Sequence, residues 1–81
     1  MQEATGTIIN WSSQSGWGFL KSDSGQKYFL HFKNCEIVPR TDDGFVDFRR
    51  GNRVSFICGE PQEAGKAPVA LNVNSVTEGA N

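Results

Sequence analysis

His31, Cys35 and Cys58 are the side chains with which this chain could hold a metal, and His31 could also act as a general base. Neither chemistry has the pattern it requires. A zinc site takes four ligands, or three and an open position, usually with paired spacings such as Cys-x-x-Cys. No such pair exists, and the lone histidine has no obvious nucleophile partner. Asp42 and Asp43 are adjacent in a turn-forming stretch, where solvated turn residues are expected rather than an acid/base pair. Gly16-x-Gly18 is no phosphate loop, because no helical pattern follows it. No catalytic residue, metal or cofactor is expected, and the chain does not read as an enzyme.

The remaining chemistry is that of flat surfaces. Residues 15–32 carry Trp17, Phe19, Tyr28, Phe29 and Phe32 together with His31, broken by glycines, serines and lysines. The whole chain has nine aromatic residues in 81. A chain this short buries only about 60–65% of its unfolded surface, so its core is small and some rings are expected outside, as an interaction patch.

Strands must position these rings. No window carries apolar residues at i, i+3, i+4 and i+7 over three turns, and nine glycines and three prolines punctuate the sequence. Short alternating segments rich in β-branched and aromatic residues predict strands near 5–12, 16–22, 27–32, 52–59 and 68–77. Turns are expected at Ser12-Ser13-Gln14-Ser15 and Ser22-Asp23-Ser24-Gly25. Residues 33–51 read as a long connection, and residues 78–81 as a frayed tail. The expected fold is all-β, a five-stranded antiparallel barrel formed by one domain over residues 1–81 with its core in about 5–77.

Side chains alternate across a strand, so parity sorts the rings. Trp17, Phe19 and Lys21 fall on one face of the second strand, Gly18 and Leu20 on the other. Phe29 and His31 fall on one face of the third, Tyr28 and Leu30 on the other. Lys21 and His31 mark the wet side, which therefore also carries Trp17, Phe19 and Phe29. Rings exposed beside cations are what unstacked bases need, since every base has a π-face. Parity alone puts Phe32 on the inner side with Leu30.

Charge limits how such a surface would bind. Eight basic and nine acidic residues give a formal net charge of −1. Binding driven only by the phosphate backbone is therefore not expected; stacking would supply much of the affinity. Arg49, Arg50 and Arg53 form the one basic cluster, either a solvated turn or a flank for phosphates. No apolar run approaches the roughly 20 residues of a membrane span. The first ten residues lack the basic and apolar regions of a signal peptide, and two cysteines make no disulfide framework, so a reduced cytoplasmic protein is expected.

Several short stretches together resemble the cold-shock domain. They are Gly16-Trp17-Gly18-Phe19-Leu20 and Phe29-Leu30-His31-Phe32, with Gly44-Phe45, Arg50-Gly51, Val54-Ser55-Phe56, and Pro68 through Asn72-Val73. The resemblance covers about residues 5–73. It implies a barrel of the oligonucleotide/oligosaccharide-binding (OB) type that binds single-stranded RNA or DNA with low sequence selectivity, in the manner of RNA chaperones and antiterminators. The implied binding residues are Trp11, Trp17, Phe19, Phe29, His31, Phe32 and Phe45, with Lys21 and Lys66 as cations. The family places Phe32 on its binding face, which a bend at the strand end would allow. This chain departs from the pattern at Asn10, where the family has an exposed Trp, and at Ser15, where it has Lys. It also departs at Trp11 and Trp17, where Phe is usual, and in a longer loop over residues 33–43.

A monomer acting on single-stranded RNA or DNA, with no membrane and no small-molecule cofactor, is the expectation. The other reading is a protein- or oligosaccharide-binding barrel that uses the same aromatic face.

Overall fold

The computed structural model describes residues 3–61 and 64–76. It contains five strands: β1 (Glu3–Ser12), β2 (Trp17–Ser22), β3 (Lys27–His31), β4 (Arg53–Cys58) and β5 (Ala70–Ser75). One turn of 3-10 helix, Phe32–Asn34, follows β3. Every expected strand is present within two residues of its expected bounds. The tail expected to fray, 78–81, lies outside the described residues.

All pairings are antiparallel, in the order β3-β2-β1-β4-β5. The sheet curls until its edges meet: Phe29 and Val69 form a parallel bridge, and the Phe29 N–H donates to the Pro68 carbonyl at 2.8 Å. The result is an OB-type barrel, the five-stranded solution to the exposed-edge problem. No helix among the described residues is long and apolar enough to cross a membrane.

Two tight turns set the β1–β2–β3 meander. The Gly16 N–H donates to the Ser12 carbonyl at 2.7 Å, and the Ser15 N–H to Ser12 Oγ at 3.2 Å. At the next turn the Gly25 N–H donates to the Ser22 carbonyl, and Ser22 Oγ accepts from the Gln26 N–H. Gly18 lies where β1 crosses closest. A Cβ there would sit 2.3 Å from the Asn10 carbonyl oxygen, so only glycine fits.

Ile8, Leu20, Leu30, Val54, Phe56 and Val73 fill the barrel, buried almost completely. Residues 33–51 do more than connect. Cys35 bridges to Val73, Arg40 pairs with Val46, and Cys35, Val46 and Phe48 join the core. Burial pushes the Cys35 thiol up to about 11, so it stays neutral inside the barrel.

Candidate nucleic-acid interface

Directly opposed residues of an antiparallel pair share a face, so the register of β1, β2 and β3 lays out the outer surface in rows. One row is Ser12–Trp17–His31, the next Asn10–Phe19–Phe29, the last Thr7–Lys21–Lys27. Between them run inward rows such as Ile8–Leu20–Tyr28, on the barrel side. The parity assignments of Trp17, Phe19, Lys21, Phe29 and His31 to one face, and of Leu20, Tyr28 and Leu30 to the other, match this register.

The rings form a continuous surface. Trp17 lies 6.1 Å from both Phe19 and Phe29, centroid to centroid, and Phe19 lies 5.8 Å from Phe29. Phe29 is 6.3 Å from His31, which is 4.6 Å from Phe32 and tilted 32° to it. These spacings are those of favourable aromatic pairs, so the rings hold one another upright while their outer faces stay open. Trp17 is 43% exposed and Phe32 46%.

Phe32 corrects the simple alternation, which would bury it beneath the sheet. The strand ends at His31 and the 3-10 turn begins, which swings the ring outward. The Lys33 N–H donates to His31 Nδ1 at 3.2 Å and closes this turn. With Nδ1 accepting, Nε2 carries the proton of the neutral ring.

A groove of about 460 Å³ runs beside the rings. Trp17, Phe19 and Phe29 make one wall; Gly65, Lys66, Ala67 and Val69 make the other. The bridge that closes the barrel, Phe29 to Val69, is its floor. Lys66 is thus brought to the rings by barrel closure rather than by strand parity.

Charge is distributed unevenly around this surface. The chain has four lysines, Lys21, Lys27, Lys33 and Lys66. Lys21 and Lys27 form the last row of the outer face, Lys33 stands in the turn that carries Phe32, and Lys66 lines the groove. Local positive charge therefore borders the rings although the net charge is −1. Lys27 Nζ stands 4.5 Å from the centroid of the Phe19 ring, a cation–π contact. Sequence reasoning missed Lys27, though its parity with Phe29 and His31 would have found it.

Arg53 has a different task. Its guanidinium bonds Asp23 at 2.7 and 3.0 Å and Thr7 Oγ1 at 3.0 Å, tying β4 to β1 and to the turn after β2. The bonds from Arg53, and then the Thr5 hydroxyl, hold the Asp23 carboxyl well below the usual carboxylate range.

Trp11 and Phe45 stand outside the rows of rings. Trp11 is half-buried on the core side, edge-on to Phe48 at 5.2 Å. Its indole Nε1–H donates to the Val46 carbonyl at 2.9 Å. That bond anchors the hairpin on which Phe45, 59% exposed, lies in a shallow hollow with Ser13, Gln14, Thr41 and Asp43. Among the described residues no three His, Cys, Asp or Glu side chains group so as to hold a metal.

Known proteins share this sequence pattern. Cold shock protein CapB of Pseudomonas syringae pv. tomato is 35% identical over 63 residues, which span 78% of this chain and 84% of that protein. Cold shock-like protein CspE of Bacillus anthracis is 33% identical over 69 residues, 85% of this chain and 91% of that protein. The major cold shock protein of Streptococcus pyogenes serotype M18 is 27% identical over 73 residues, 90% of this chain and 97% of that protein. No family model matches the chain.

Proposed function

The chain belongs to the cold-shock protein family, and from that premise we propose that it binds single-stranded RNA or DNA by stacking bases on its outer aromatic face. The observation that carries the reading is the unbroken run of Trp17, Phe19, Phe29, His31 and Phe32, exposed and bordered by all four lysines. Base–aromatic stacking is worth about 1–3 kcal/mol per base. Several such contacts outweigh a neutral global charge, and they impose little sequence selectivity. The lysines supply local contacts to phosphates, Lys21 and Lys27 along one side and Lys66 across the groove.

A strand longer than this run continues over the Phe45 hollow, whose hairpin Trp11 holds in place. Binding of this kind keeps a transcript single-stranded, the work of an RNA chaperone or antiterminator. It requires no cofactor and no second copy of the chain.

Titration of the tryptophan fluorescence with oligouridine and oligothymidine at two salt concentrations tests the reading. Saturable quenching that weakens modestly with salt supports it. Binding to sugars or peptides that ignores salt, with no response to either oligonucleotide, would replace it with the other use of an aromatic face.

A further inference from the structure

Asn10 occupies the middle row of the outer face, opposite Phe19. The pairing of β1 with β2 skips Ile9, a bulge between Ile8 and Asn10 that interrupts the ladder. The Phe19 N–H finds its acceptor in the Asn10 side chain, at 2.9 Å from Oδ1. That bond fixes the amide. Its Nδ2, with two N–H groups, has no hydrogen-bond partner among the described residues, and the side chain is exposed. Directly opposed residues place their Cβ atoms about 4.5–5.5 Å apart, so this donor stands at the edge of anything stacked on Phe19.

We infer that Asn10 is a specificity-determining residue: held through Oδ1, it offers Nδ2–H to the edge of the base on Phe19 and favours the carbonyl-bearing uracil and thymine over adenine. The inference deepens the nucleic-acid reading above and rests on it.

The selectivity follows from what the amide can still do. An open carboxamide recognises adenine with both ends, its oxygen accepting from N6 and its nitrogen donating to N7. Here the oxygen is already committed to the backbone of β2. Uracil and thymine present carbonyl oxygens that accept a single donor. The adenine amine opposes a donor with a donor, which leaves both unpaired and is unfavourable.

Asn10 may be replaced so that its two tasks separate. Asn10→Asp retains an oxygen to accept from the Phe19 N–H but has no N–H to offer. Asn10→Ala removes both. Affinities for oligouridine and oligoadenosine of equal length are measured by tryptophan quenching at one salt concentration, with the thermal midpoint of each protein. The ratio of the two affinities is the readout, because the added charge of Asn10→Asp repels both strands alike.

The wild type is expected to favour oligouridine, and both variants to reduce that preference by about 3- to 10-fold, the effect of one hydrogen bond. Asn10→Asp is expected to keep the wild-type midpoint more closely than Asn10→Ala does. An unchanged ratio in both variants, or a wild type without the preference, would overturn the inference and leave Asn10 as the cap of the bulge alone. A wild type that binds neither strand would overturn the nucleic-acid reading as well, a result distinct from binding without selectivity.

Discussion

Gly16 and Phe32 meet at the corner of the ring surface: the Phe32 N–H donates to the Gly16 carbonyl at 2.9 Å, and a Cβ on Gly16 would lie 2.7 Å from the Phe32 ring. Gly16 also has a φ of +78°, in the left-handed region. The residue that opens β2 thus makes room for the last ring of the platform.

Gly16→Ala is therefore expected to act twice. The left-handed backbone alone costs about 1–2 kcal/mol for a residue with a Cβ, and the Phe32 ring must move. Thermal unfolding should show a midpoint lower by about 4–8 °C per kcal/mol for a domain of this size. Oligonucleotide titration should show weaker binding. An unchanged midpoint and affinity would remove Gly16 from the account of Phe32.

Lys27 tests the local-charge argument. It is exposed and stacks its ammonium over Phe19, so Lys27→Met should leave the midpoint within about 0.5 kcal/mol of wild type. The slope of log affinity against log salt should fall by about 1, the signature of one lost phosphate contact. A slope equal to that of the wild type would mean that Lys27 supports the ring and touches no phosphate.

Trp11 is expected to matter mainly for the hairpin of Phe45. Trp11→Phe keeps the edge-on packing against Phe48 but deletes the bond to the Val46 carbonyl. Loss of that bond should destabilise the fold by about 1–3 kcal/mol, the penalty for a buried acceptor left without its donor. Short oligonucleotides that cover only the Trp17–Phe29 rows should bind as before, and longer ones less tightly. Equal loss for both lengths would place Trp11 among the stacking rings themselves.

The barrel arrangement was legible in the sequence because strand alternation is a local signal. Leu20 and Leu30 inside, Trp17, Phe19 and Phe29 outside, follow from parity once Lys21 and His31 mark the wet face. Phe32 was not legible by parity, since a single 3-10 turn at the strand end breaks the period of two. The burial of Val46 and Phe48 was hidden for a related reason: the alternating run around Asp47 is too short to stand out within residues 33–51. The placement of Asn10 depends on the bulge at Ile9, and the closeness of Lys66 to the rings depends on closure of the barrel. Both are tertiary relationships with no periodic trace.

Asp23 and Arg53 give the fold a pH dependence of defined sign. Asp23 binds its proton more weakly when folded, so its tie to Arg53 contributes fully above its unfolded value of about 3.9 and fades as pH falls below it. Asp23→Asn should lower the thermal midpoint at neutral pH, with the gap from wild type narrowing below pH 4 or so. A gap that stays constant down to strongly acidic pH would show that the pair contributes nothing through its charge.

The outer rings carry the central claim, and Phe29→Ala tests it most directly. Phe29 sits at the centre of the platform, in contact with Trp17, Phe19 and His31. Oligouridine affinity and the thermal midpoint are measured on the same protein. The expected result is an affinity lower by about 1–3 kcal/mol in a domain that still unfolds cooperatively. A Phe29→Ala protein that binds oligouridine as tightly as the wild type would contradict the account, because the ring at the centre of the proposed surface would then take no part in binding.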